Sequence, residues 1–216
     1  MNASTTALGT LGIAVLAVVI DPLWVRTRRL ITLVHETGHA VTALISGRWI
    51  REIVLDHSGG HTLPAGGKLF WPADVMVTFA GYSAPPIAGL FLALGVDRGW
   101  NPATTLGVLL IILVGVALFH GNWLGLIVMV TVGLVLAFFL WQTGAAAQVG
   151  VLITLAWFLL LGGLRRTIEI AGHAAPKTSD QARLQELTSV HANAWVAVFL
   201  AIALGTLISG ARALLA

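Results

Sequence analysis

The sequence predicts an all-α polytopic membrane protein of about six to seven transmembrane helices, with a small β-hairpin inserted after the second of them. Three observations predict it. Of the 216 residues, 57% are hydrophobic and only 10% charged, against about 25% charged in a soluble domain, and mean hydropathy is +0.92. The apolar residues gather into runs close to the roughly 20 that cross a bilayer. One stretch, residues 47–70, is instead polar and β-branched. Residues 1–216 read as a single membrane-embedded domain.

The first run, about Thr5–Val25, has no basic residue before Arg26, so it reads as a retained span rather than a cleaved signal. The second, about Leu30–Ser46, carries His35, Glu36 and His39. Residues 47–70, GRWIREIVLDHSGGHTLPAGGKLF, have β-branched residues up to Leu55, then the turn signal His57-Ser58-Gly59-Gly60 and a short return, which predicts the hairpin. Further runs follow at about Ala73–Val96, Thr104–Phe119, Trp123–Trp141, Ala146–Leu164 and Ala192–Ala211. Trp24, Trp71, Trp100, Trp123 and Trp141 fall at predicted ends, where interfacial aromatics sit. Gly81, Ser83, Ala84, Ala88 and Gly89 form a small-residue stripe around Pro85-Pro86, suited to close helix packing or to a kink. Residues 165–190 form a polar loop, in which Ser179 is the expected N-cap of a helix over Asp180–Leu187.

The net charge of +3 does not point to nucleic acid. The basic residues lie mostly between apolar runs, where they set topology, and they do not alternate with aromatics. Seven spans would put seven Lys/Arg on the side of the N-terminus and five on the other, which favours the first side as cytoplasmic. The chain has no cysteine, which excludes disulfides, thiolate zinc sites and a Cys nucleophile.

Within the second run, ITLVHETGHAVTALI places three ionisable groups in a greasy segment with no Lys or Arg beside them. Burying them is costly unless something binds them. His35-Glu36-Thr37-Gly38-His39 is H-E-x-x-H. On a helix, i and i+4 share a face, so two imidazoles can converge on one metal. The Glu between them can take a proton from a water held there. With seven His and four Glu in 216 residues, chance supplies roughly 0.004 such motifs. Polar residues bridging helices are the bland alternative, but each of the three would then need its own partner.

A catalytic zinc site wants three protein ligands. The residues after His39, AVTALISGRW, contain no third His, and Glu52 falls in the predicted hairpin rather than on a helix. Asp180 is the best-placed carboxylate: it opens a helix at the rim of the last span, where an anion is stabilised. Simple helix capping explains it equally well. Among the other histidines, His61 could approach the metal or an oxyanion. His57 reads as a solvated turn residue. His120, His173 and His191 read as interfacial, with orientation of a ligand as the alternative for the last two.

Four stretches carry a resemblance: HETGHAVTALISG (35–47), GGHT (59–62), FAGYSAPPIAG (79–89) and TSDQARLQELTSVHANAWVAVF (178–199). Their order resembles the site-2-protease family of intramembrane zinc metallopeptidases, most closely its compact bacterial branch. The resemblance implies that His35 and His39 are zinc ligands, Glu36 the general base and Asp180 the third ligand. It also implies one Zn2+, a membrane-protein substrate cut in or near its transmembrane segment, and residence in the bilayer of the bacterial inner membrane. The larger members carry the aspartate in an L-D-G triplet, which this sequence lacks; Ser179-Asp180 stands in its place.

Two other readings compete with this one. A metal transporter or sensor could use the same histidines. However, a transport path wants acidic residues along it, and residues 104–164 hold none and a single His. A catalytically dead scaffold is at odds with an intact Glu36. A substrate helix must unwind before its carbonyls can be attacked, and the edge of the hairpin could take the freed strand by β-addition; a hairpin that only caps the bundle is the alternative.

Overall fold

The computed structural model describes residues 3–55, 60–64, 70–119, 121–172, 176 and 179–215. The turn at His57-Ser58-Gly59, and His120 and His173, lie outside them. The described residues form eight helices and one two-stranded sheet, in chain order α1 (Ala3–Val19), α2 (Asp21–Ile45), β1 (Ile50–Leu55), β2 (Gly60–Pro64), α3 (Trp71–Asp97), α4 (Pro102–Ala117), α5 (Trp123–Gln142), α6 (Ala145–Ala171), α7 (Asp180–Thr188) and α8 (Ala192–Leu215). The class is as the sequence predicts: a polytopic helical membrane protein with one small antiparallel hairpin.

The spans divide differently from the apolar runs. Four helices are long and apolar enough to cross a membrane: α3, α5, α6 and α8. The pair α1–α2, bent by 100° at its break, makes a fifth if it counts as one span, and α4 is a shorter apolar helix. The run expected over Thr5–Val25 is cut at Ile20. Pro22 lies in the first turn of α2, where a missing N–H costs nothing, so Asp21-Pro22 starts a new helix instead of ending the old one.

Trp24 therefore sits inside the bundle rather than at an interface. It is 2% exposed, donates to Glu169 Oε1 at 2.6 Å and lies beneath the Arg165 guanidinium. The other four tryptophans at predicted ends are exposed. The polar stretch expected to begin at residue 165 also starts later, because α6 continues to Ala171. Arg165 and Arg166 pair with Glu169 at i+4 and i+3, which lets helix extend past the apolar run.

Helix α3 is the central post, packed against α2, α6 and α8. Its small-residue stripe is a packing surface. Pro85, Pro86 and Gly89 are buried and the helix runs unbroken through both prolines. A Cβ on Gly163 of α6 would meet Pro86 Cδ at 2.8 Å, and one on Gly89 would meet Leu160 and the Ala156 carbonyl at 2.9–3.0 Å. Small residues let the backbones approach, which is how helices associate where lipid is as apolar as the side chains.

The outer edge of β1 anchors the hairpin to the link between α4 and α5. Ile53 N–H donates to the Phe119 carbonyl at 2.7 Å, and Gly121 N–H to the Ile53 carbonyl at 2.9 Å. The Asn122 amide spans Leu55, accepting from its N–H at 3.2 Å and donating to its carbonyl. The α4–α5 link thus occupies the outer edge of β1. Thr62 is the register partner of Ile53. Since Ile53 turns its N–H and C=O toward Phe119 and Gly121, the two form a non-hydrogen-bonded pair, and the backbone groups of Thr62 face the other edge of β2. No backbone partner covers that edge among the described residues.

Candidate metal centre

The two histidines share a face of α2, one turn apart. Asp180 reaches them from the first turn of α7, which three contacts hold against the start of α3. Trp71 Nε1 donates to the Leu187 carbonyl at 2.5 Å, Arg183 pairs with Asp74 at 3.2 Å, and Leu184 is fully buried. Among the described residues, His35, His39 and Asp180 form the one group able to hold a metal ion. His35 Nε2 and His39 Nε2 are 3.1 Å apart. Asp180 Oδ2 lies 3.2 Å from the first and 3.3 Å from the second.

His39 Nδ1 lies 2.7 Å from the Val77 carbonyl, which can only accept, so Nδ1 carries the proton and Nε2 of the neutral ring presents a lone pair. Asp180 Oδ2 is buried and accepts no well-aligned hydrogen bond. Three atoms that can each offer a lone pair therefore converge, and with both rings in the Nδ1–H form they are costly to bury unless a cation joins them. Donors held 2.0–2.2 Å from a tetrahedral zinc would stand about 3.3–3.5 Å apart, close to the spacing present. Burial alone would push the Asp180 carboxyl up. With no ion present, positive charge on the imidazoles, His39 first and then His35, more than offsets this and holds it well below the usual carboxylate range; a bound cation would act in the same direction.

Ser179 occupies the N-cap position of α7 but makes no capping bond; its hydroxyl donates to the Pro176 carbonyl at 2.7 Å. Five other carboxylates among the described residues have different partners. Asp21 pairs with Arg165, Asp74 and Glu186 with Arg183, Glu169 with Arg165 and Arg166, and Glu52 points at Gly121.

Glu36 is 2% exposed. Its Oε1 is 3.9 Å from His35 Nε2, and its Oε2 accepts from Thr62 Oγ1 at 2.7 Å. A cavity of about 440 Å³ opens over these groups, with Gly60 and His61 of β2 on one side and Arg166 and Arg183 on another. His61 lies on its wall, outside the three-donor group. His191 serves the backbone instead, accepting from Asn193 N–H at 3.2 Å.

Sequence reasoning passed over three contributors: Thr62, the Val77 carbonyl and Gly81. A Cβ on Gly81 would stand 2.5 Å from His39 Nε2 and 2.7 Å from Asp180 Oδ2, closer than real Cβ atoms come. The glycine is the floor of the site, and the stripe that contains it was visible only as packing. Gly81→Ala is expected to displace both side chains and so to weaken any metal binding at this group roughly 10- to 100-fold, as losses around a metal site do. Equilibrium dialysis against a zinc buffer measures this.

Fold and site together define a helical membrane protein with a half-buried cluster of two histidines from the helix that carries H-E-x-x-H and one carboxylate from α7. The family model described as Peptidase M50B-like matches residues 8–210, and the chain belongs to that family. It is thereby an integral membrane protein of a metallopeptidase family, in keeping with the site-2-protease resemblance of its motifs. No curated protein and no solved structure matches it.

Proposed function

We propose that the protein is a zinc-dependent intramembrane peptidase that hydrolyses peptide bonds in or near the transmembrane segments of other membrane proteins. His35, His39 and Asp180 are the zinc ligands in this reading, and Glu36 is the general base. The observation that carries it is the convergence of two imidazole nitrogens and one carboxylate oxygen at 3.1–3.3 Å, with a buried carboxylate oxygen 3.9 Å from one of them. When bound, zinc supplies Lewis acidity, making water acidic near neutral pH and polarising a carbonyl. Glu36 Oε1 takes the proton of the attacking water and passes it to the leaving amine nitrogen.

An edge of β2 with no backbone partner among the described residues supports substrate binding by β-addition, since an unwound segment needs partners for its backbone. With β1 already paired to the α4–α5 link, β2 is the strand that would receive it. The resemblance to the compact bacterial branch supports the inner membrane of a bacterium as its location.

Metal removal tests the reading. Chelation is expected to abolish cleavage of a membrane-protein substrate in proteoliposomes, and one equivalent of zinc to restore it. Cleavage that continues after the metal has been stripped and its absence verified would refute the zinc mechanism.

A further inference from the structure

The oxygens of Glu36 are not equivalent. Oε1 faces the histidine pair, 3.9 Å from His35 Nε2. Oε2 accepts the Thr62 hydroxyl proton at 2.7 Å. The same hydroxyl lies 3.3 Å from the Glu36 backbone carbonyl, so side chain and main chain of the glutamate both meet Thr62. Gly60, two residues earlier on β2, leaves room for this: a Cβ there would lie 3.0 Å from Glu36 Cγ and Oε1. The strand itself is fixed. Thr62 pairs with Ile53, which is fully buried and bonded through both backbone groups to the α4–α5 link.

We infer that Thr62 is a positioning residue for the base: its hydroxyl ties down Oε2, fixes the carboxyl plane and leaves Oε1 as the oxygen that meets the attacking water. A free carboxyl rotates about its last torsion with a broad, two-fold preference. One strong charge-assisted hydrogen bond from a fixed strand removes that freedom. Such alignment matters because a misplacement of about 1 Å at a reacting group can cost roughly 100-fold in rate. The backbone of Thr62 faces the open edge of β2, so the strand that would hold the substrate also carries the side chain that aligns the base. This inference rests on the peptidase reading for its kinetic consequence, though not for the contact itself.

The test uses the full chain in proteoliposomes or detergent, as Thr62→Val, which keeps the shape and removes the donor, and Thr62→Ser, which keeps the donor. Thr62→Val is expected to lower kcat roughly 10- to 100-fold with KM unchanged and zinc content intact. Thr62→Ser should stay within about 3-fold of the unsubstituted protein, since the hydroxyl donor is retained. Infrared difference spectra against Glu36→Gln isolate the Glu36 carboxylate stretch. That band should shift in Thr62→Val and hold its position in Thr62→Ser. An unshifted band in Thr62→Val, equal losses in both variants, or a rise in KM with kcat preserved would each overturn the assignment. If no substrate is cleaved even by the unsubstituted protein while the band shifts as expected, the peptidase reading fails and the Thr62–Glu36 contact stands.

Discussion

Glu36→Gln is expected to lower cleavage by roughly 100- to 10,000-fold, the range that general acid–base catalysis supplies, while zinc content stays at that of the unsubstituted protein. The separation follows from geometry. Glu36 is outside the three-donor group, so its charge is not needed to hold a metal. The amide keeps the side chain's size and can still accept from Thr62 through its oxygen. It cannot take a proton from water at any pH where the protein is folded. Zinc by mass spectrometry and cleavage of a reconstituted substrate, measured on one preparation, give the two numbers. The same variant separates the peptidase from a metal transporter or sensor. Those functions need the ligands but no base, so metal flux or a metal-dependent response that survives Glu36→Gln, with no cleavage by the unsubstituted protein, would favour them.

The parts legible in the sequence were those that local spacing encodes. His35 and His39 fall on one face because four residues make about one helical turn, and the grease around them makes the site visible. The hairpin was legible from its β-branched strand and glycine turn. Long-range placement was harder. Nothing near Asp180 in the chain states that α7 docks on α3; that depends on Trp71 reaching Leu187 and Arg183 reaching Asp74, more than a hundred residues apart. Only the family's motif order pointed there. The α1–α2 break shows the opposite failure. Hydropathy averages over Asp21-Pro22 and sees one span, whereas proline at a helix start is a local backbone signal that such averaging hides. Trp24 misled for a related reason: a tryptophan near a charged stretch suits an interface as well as a buried bond to Glu169. Thr62 left no signal beyond membership of GGHT, since a hydroxyl on a short strand has many uses and its partner is 26 residues away.

Asp180→Ala is expected to weaken zinc binding by about 100-fold or more, beyond what groups around a metal site contribute, and to abolish cleavage with it. The fold should survive. Helix α7 is held by Trp71, Arg183 and the buried Leu184, none of which involves the Asp180 carboxylate. Ala removes an anion whose close ionisable partners among the described residues are the two imidazoles. The rival role for Asp180, completing the first turn of α7, makes a different prediction. Loss of a helix-terminal carboxylate costs about 0.3–1 kcal/mol of stability and leaves the metal alone. Asp180→Asn sharpens the contrast. Asn and Asp serve a helix N-terminus almost equally well, so a structural role predicts a near-silent change. A ligand role predicts a large loss, because the neutral amide no longer supplies the negative charge that two neutral imidazoles lack. Zinc retained at full affinity in either variant would remove Asp180 from the ligand set. Lost zinc with an unchanged thermal transition of the metal-free protein is the result the geometry calls for, since the carboxylate is directed into the site rather than onto its own helix.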